Sequence, residues 1–136
     1  MKASEAIQIF QESCKVGFLA TSGRQGPRVR PMSPIAVEGT VLWMATCASS
    51  DKMAEISAHP GVEFCYMDAD HTHLRLRGTA AVCEDAEIKR RMWDAYPLMH
   101  RYFKGADDPE YVLLKVDVAE ALLMPSMSME YERLEI

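Results

Sequence analysis

The sequence predicts a mainly β fold: a small closed or split antiparallel barrel with helices packed at its openings. Its apolar segments are short and rich in β-branched and aromatic residues, and clusters of Gly, Pro and Asp punctuate them. Little chain is left between them for the crossover helices of a parallel sheet. With 136 residues, one domain spanning 1–136 is expected, large enough to bury a core without cross-links.

The elements follow in order. "SEAIQIFQES" places Ala6, Ile7, Ile9 and Phe10 in a helical window after a candidate Ser4 cap. "VGFLATS" reads as a buried strand and "GRQGP" as the turn that ends it. "RVRPMSPIAV" is extended but interrupted by Pro31 and Pro34, as suits an edge or irregular strand. After "EGT", "VLWMAT" is the third strand, so residues 16–46 read as an antiparallel meander. "MAEISAH" supplies a short helix ending before Pro60. In "GVEFCYMD", Val62, Phe64 and Tyr66 alternate against Glu63 and Cys65; in "THLRLRGTAAVC", Leu74 and Leu76 alternate against His73, Arg75 and Arg77. A longer helix is predicted across 85–96 from Ile88, Met92, Trp93 and Tyr96. "PLMHRYFKGADDPE" reads as a loop, with "YVLLKVDV" and "EALLM" as two final strands.

Composition excludes several classes. A hydrophobic fraction of 49% with 26% charged residues is globular, and the net charge of −5 attracts neither nucleic acid nor an anionic membrane surface, so any anion must be bound locally. No stretch is long enough to span a membrane, and "MKASEAIQIF" lacks signal-peptide character, so a cytoplasmic location is expected. Cys14, Cys47, Cys65 and Cys83 stand apart in apolar contexts with no CxxC pair, which points to reduced, buried thiols and no metal.

The stretch "TCASSDKMAEI", residues 46–56, is where chemistry concentrates. A strand end, a hydroxyl-rich turn and a helix N-terminus together suit a phosphate. The plainer reading is that Ser50 or Asp51 caps the helix and Lys52 is solvated. Arg28 and Arg30 lie two apart on one extended segment and project to one face, where their donor forks suit the same anion. If that strand pairs with "VLWMAT", they reach the Thr46–Lys52 turn; otherwise they are solvated charges on an edge. His71 and His73 form an HxH pair with no third ligand in view. No GxSxG, HExxH, P-loop or GxGxxG pattern occurs, and no side chain is identified as catalytic.

Together, "GFLATSGRQGPRVRPMSPIAVEGTVLWMAT", "SSDKMAEISAHPGVEFCY", "LRLRGTAAV" and "MWDAYPLMHRYFKGADDPEYVLLKV" closely resemble the pyridoxamine 5'-phosphate oxidase-like flavin-binding split barrels, most of all the general stress protein 26 type. The resemblance implies a six-stranded split barrel that forms a homodimer with FMN between the subunits. Carried onto this chain, Arg30 and Lys52 hold the FMN phosphate, Ser50 hydrogen-bonds it, and Met32 and Thr46 lie along the ring or ribityl chain. Trp93 and the Tyr102–Phe103 pair come from the second subunit to cover the ring, core packing being the alternative for Trp93. The implied function is an oxidoreductase acting on an unidentified small molecule. The alternatives are a non-enzymatic flavin-binding stress or sensor protein, or a haem-binding split barrel. "MPSMSMEYERLEI" has no histidine after His100, unlike the substrate-gripping end of true pyridoxamine phosphate oxidases, and Leu122, Leu123 and Met124 stand where many relatives carry a tryptophan. Pyridoxamine phosphate is therefore not the expected substrate.

Overall fold

A computed structural model describes residues 1–136. Eight antiparallel strands form one sheet that is not closed. They are β1 (Gly17–Gly23), β2 (Gly26–Met32), β3 (Ala36–Glu38), β4 (Val41–Cys47), β5 (Gly61–Met67), β6 (His73–Cys83), β7 (Tyr111–Met124) and β8 (Glu132–Leu134). They run in the order β2-β1-β5-β6-β7-β4-β3, with β8 pairing β7. The six longer strands carry the split-barrel architecture, and the two three-residue strands β3 and β8 are additions to it. Three helices complete the fold: α1 (Ala3–Cys14), α2 (Asp51–Ala58) and α3 (Ala86–Ala95).

The predicted meander holds only in part. Prolines 31 and 34 mark a break: the extended segment before β4 becomes two strands that lie at opposite ends of the sheet. β2 pairs only with β1, an edge position at which Pro27 and Pro31, lacking an N–H, are tolerated. β3 turns back onto β4 in a hairpin. β4 therefore pairs with β3 and β7, not with the arginine-bearing strand.

The C-terminal half also departs from the sequence reading. "YVLLKVDV" and "EALLM" are one fourteen-residue strand, and the irregularity between them is a bulge: Arg77 faces Glu120 and Gly78 faces Val118, leaving Ala119 unpaired. Gly78 is required there, because a Cβ would sit 1.9 Å from the Asp117 carbonyl oxygen. Within the predicted loop, Pro97–Arg101 forms a 3-10 helix. Ser4 is not the cap of α1; the chain enters the helix at Lys2, and the Ala3 N–H donates to the Glu135 carbonyl beyond β8 at 2.7 Å.

Two apolar clusters hold these elements. In the larger, Ala3, Ala6, Ile7 and Phe10 of α1 join Leu19, Phe64, Tyr66 and Leu76 of the sheet. Ile7 and Phe10 each contribute roughly 1.5–3 kcal/mol by burial. The Tyr66 hydroxyl, which would otherwise be stranded in this core, donates to Gln11 Oε1 at 2.6 Å. Val62, Phe64 and Tyr66 are buried as their alternation predicts, and so are Leu74 and Leu76. The smaller cluster packs Met92 of α3 with Trp43, Met99, Phe103 and Tyr111. The four cysteines are free thiols, but none is buried: Cys47 is exposed and the others are half-buried, Cys14 packing against the larger cluster and Cys83 against the smaller.

Candidate functional site: a cationic turn beside an apolar groove

α2 follows β4 through the turn Ala48–Ser50, and it packs against β1. That packing brings the arginine strand to the turn by a route other than direct pairing: β2 hydrogen-bonds to β1, and β1 carries α2 on its inner side. Thr21 of β1 is buried, and its hydroxyl donates to Glu55 Oε1 of α2 at 2.8 Å. Arg30 reaches across β1 to the same carboxylate oxygen through Nη2, also at 2.8 Å. Its Nη1 donates to Thr21 Oγ1 at 2.8 Å and to the Leu19 carbonyl at 3.3 Å. Arg28 lies 4.0 Å from Glu55 Oε2 and is more exposed.

Arg30 has five N–H donors, and these contacts occupy both hydrogens of Nη1 and one of Nη2. One hydrogen on Nη2 and the hydrogen on Nε remain. Lys52, in the first turn of α2, is half-buried and makes neither an ion pair nor a hydrogen bond. Burial pushes its pKa below the ordinary lysine value, and the nearby Arg30 charge pushes the same way, against the opposing pull of Cys47 and Glu55. The Glu55 carboxyl lies below its ordinary range, first because the Thr21 hydroxyl donates to it and also because of Arg30.

Ser50 occupies the N-cap position, yet its hydroxyl makes no capping bond to the helix. It lies instead 3.5 Å from the Thr46 hydroxyl. The turn therefore presents two adjacent hydroxyls, neither spent on capping the helix, beside an unpaired cation, with two spare arginine donors nearby. Such a donor set can bind a phosphate or another compact oxyanion.

Thr46 links this turn to an apolar groove of about 720 Å³. Ile35, Val37, Ala45, Met99 and Phe103 line it, and Tyr102 stands at its edge, 72% exposed. Tyr102 and Phe103 thus border the same groove as Thr46 within one chain. Met32 does not line the groove and packs against the larger core. Trp93 is also outside it: the indole stacks on His100 at 4.1 Å and packs against the smaller core.

Residues 3–130 match the family described as Pyridoxamine 5'-phosphate oxidase like. The chain belongs to that family. It is 30% identical over 115 residues to General stress protein 26 of Bacillus subtilis (strain 168), covering 81% of this chain and 79% of that protein. The crystal structure of General Stress Protein 26 from Bacillus anthracis str. Sterne superposes with a TM-score of 0.79 at 26% identity, covering 98% of this chain and all of that one (100%). A pyridoxamine 5'-phosphate oxidase-related, FMN binding protein of Nostoc punctiforme PCC 73102 shares the fold, with a TM-score of 0.74 at 18% identity over 95% of this chain and 86% of that one.

For this member of the pyridoxamine 5'-phosphate oxidase like family, sequence reasoning passed over Thr21 and Glu55. Glu55 left a signal, since it stands three residues after Lys52 and so on the same side of α2. Thr21 left none, because a threonine in a buried strand is ordinary. The outward-facing arginines of β6 do not join this site. Arg75 pairs with Glu63 at 2.6 Å and stacks on Tyr131, and Arg77 pairs with Glu120, which also accepts from Arg133. His73 hydrogen-bonds the Tyr131 hydroxyl at 2.8 Å, and His71 sits in the turn with φ of 66°. No three His, Cys, Asp or Glu side chains converge as a metal-binding group. No helix is long and apolar enough to cross a membrane.

Proposed function

We propose that this chain binds FMN and serves as a flavin-dependent oxidoreductase acting on a small molecule. The observation that carries the reading is Lys52: a half-buried lysine with no protein partner, beside Arg30 with two free donors and Ser50, whose hydroxyl makes no capping bond. Burial of a charge is costly unless an opposite charge completes it, and a phosphate monoester supplies that charge. In an acidic chain, local donors take the place of global attraction.

The groove that begins at Thr46 supports the rest of the reading. A phosphate and a planar apolar ring joined by a polyol need a cationic end, a hydroxyl-lined middle and an apolar cleft, in that order. Lys52 and Arg30 provide the first, Ser50 and Thr46 the second, and the walls around Ala45, Met99 and Phe103 the third. FMN, when bound, supplies two-electron transfer chemistry. The chain's own residues then bind the phosphate, orient the ring and keep water from one of its faces. The B. subtilis relative is named a stress protein, and the Nostoc neighbour is named FMN binding, which agrees with this reading.

Titration of the purified protein with FMN and with riboflavin tests the proposal, following flavin fluorescence. Arg30→Ala and Lys52→Ala are each expected to weaken FMN about tenfold or more, given roughly 1.5–3 kcal/mol per charge-assisted hydrogen bond, and to leave riboflavin nearly unchanged. Equal losses for both ligands would take the phosphate away from these residues. A haem absorption band in the purified protein, without a flavin spectrum, would replace FMN with the other ligand of the alternative.

A further inference from the structure

We propose that Glu55 and Thr21 are positioning residues that hold Arg30 so that its Nε and second Nη2 hydrogens form an outward fork for a phosphate. The proposal rests on the FMN reading above and deepens it. An anion beside an anion site is at first sight unfavourable, since its charge opposes the ligand's. Its contacts show what it does instead. Glu55 Oε1 accepts from both Thr21 Oγ1 and Arg30 Nη2 at 2.8 Å, and Thr21 in turn accepts from Arg30 Nη1 at 2.8 Å, so the three side chains close a triangle of hydrogen bonds. The Leu19 carbonyl takes the last Nη1 hydrogen. The Glu55 side chain is 14% exposed and Arg30 24%, so water competes weakly for these bonds.

An arginine has much to lose when immobilised, because its long stem carries considerable rotamer freedom. A guanidinium already held on one edge gives up little of that freedom when a ligand takes the other edge. The fixed carboxylate therefore exchanges some electrostatic attraction for preorganisation. Phe64 and Cys65 of β5 pair against β1 at Leu19 and Phe18, so the strand that carries Thr21 is itself held on both sides. The triangle is thus anchored to the sheet, and α2 cannot rotate without breaking it.

The test uses the full chain and reads dissociation constants for FMN and riboflavin, with Glu55→Ala, Glu55→Gln, Thr21→Val and Lys52→Ala. Glu55→Ala frees Arg30 and is expected to weaken FMN about tenfold, the worth of one charge-assisted hydrogen bond, with riboflavin changed less than about twofold. Glu55→Gln keeps an acceptor oxygen while removing the opposing charge, and FMN affinity is expected to match or exceed the wild type. Rescue by glutamine but not alanine is a pattern that a merely stabilising ion pair would not produce. Thr21→Val should lower the FMN-to-riboflavin preference in the same direction as Glu55→Ala, and it decides the matter if Glu55→Ala does not fold. An unchanged preference in Glu55→Ala or Thr21→Val, with preference lost in Lys52→Ala, overturns the positioning role and leaves the FMN reading standing. An unchanged preference in Lys52→Ala as well overturns both.

Discussion

Lys52 holds its charge where no carboxylate pairs with it, and the fold bears a cost for that. Its folded pKa is below the ordinary 10.5, with burial the first cause and Arg30 the second. The unfolded chain therefore binds this proton more tightly than the folded one. Stability rises with pH between the lowered folded value and 10.5, and below that window the full cost of the charged form is present. Lys52→Met is accordingly expected to raise the unfolding temperature of flavin-free protein at neutral pH, by roughly 1–3 °C once solvent screening is allowed for. The same variant should lose its preference for FMN over riboflavin. Differential scanning calorimetry checks the first outcome, and a lower unfolding temperature would mean that the lysine is already satisfied in the fold. The sequence makes Lys52 and Ser50 visible because a hydroxyl-rich turn before a helix is a local pattern. That Lys52 lacks a partner is not local, since the candidate partner Glu55 sits on the same helix side and is claimed by Thr21 and Arg30.

At the scale of elements, periodicity located β5, β6 and all three helices, because alternation and helical spacing reflect which side each element buries. It failed at the centre of β7. Ala119 breaks the alternation there, and a broken alternation reads as a turn; only the facing strand reveals a bulge. The bulge depends on Gly78 across from it. Gly78→Ala would drive a Cβ into the Asp117 carbonyl, backbone against backbone, so the strain cannot be relieved by a side-chain rotation. A loss of about 3 kcal/mol is expected, at the upper end of ordinary overpacking costs. Urea unfolding would show it as a lower midpoint with an unchanged slope, and a loss under about 1 kcal/mol would mean that the two strands separate easily at this point. The same limit explains α1. Ser4 resembles a cap in sequence, whereas the donor of Ala3 is met by Glu135, more than a hundred residues away along the chain.

At the scale of the whole molecule, the outward side of the sheet leaves apolar side chains in water: Phe18 is 50% exposed, Val29 68% and Met67 52%. Phe18 lies opposite Cys65, and Cys65 opposite Arg75, so these residues form part of one outward row across β1, β5 and β6. We propose that a second copy covers this side, and that Trp93, which does not line its own chain's groove, contributes to the partner's. Sedimentation at micromolar concentration should give a dimer. A monomer that still binds FMN tightly would remove the second subunit from the site. From local pattern alone, the chain is legible as an antiparallel β protein with a hydroxyl-rich cationic turn, because alternation, glycine and proline punctuation and the strand–turn–helix sequence of residues 46–56 are all carried by near neighbours. Which strands lie side by side was decided only in three dimensions. β2 and β3 leave a single extended segment for opposite ends of the sheet, and Arg30 comes to Lys52 through β1 and α2 rather than through β4. The physical reason is that each strand presents the same backbone donors and acceptors to any neighbour, so pairing is chosen by the joint burial of all inward side chains, a quantity that no segment holds by itself.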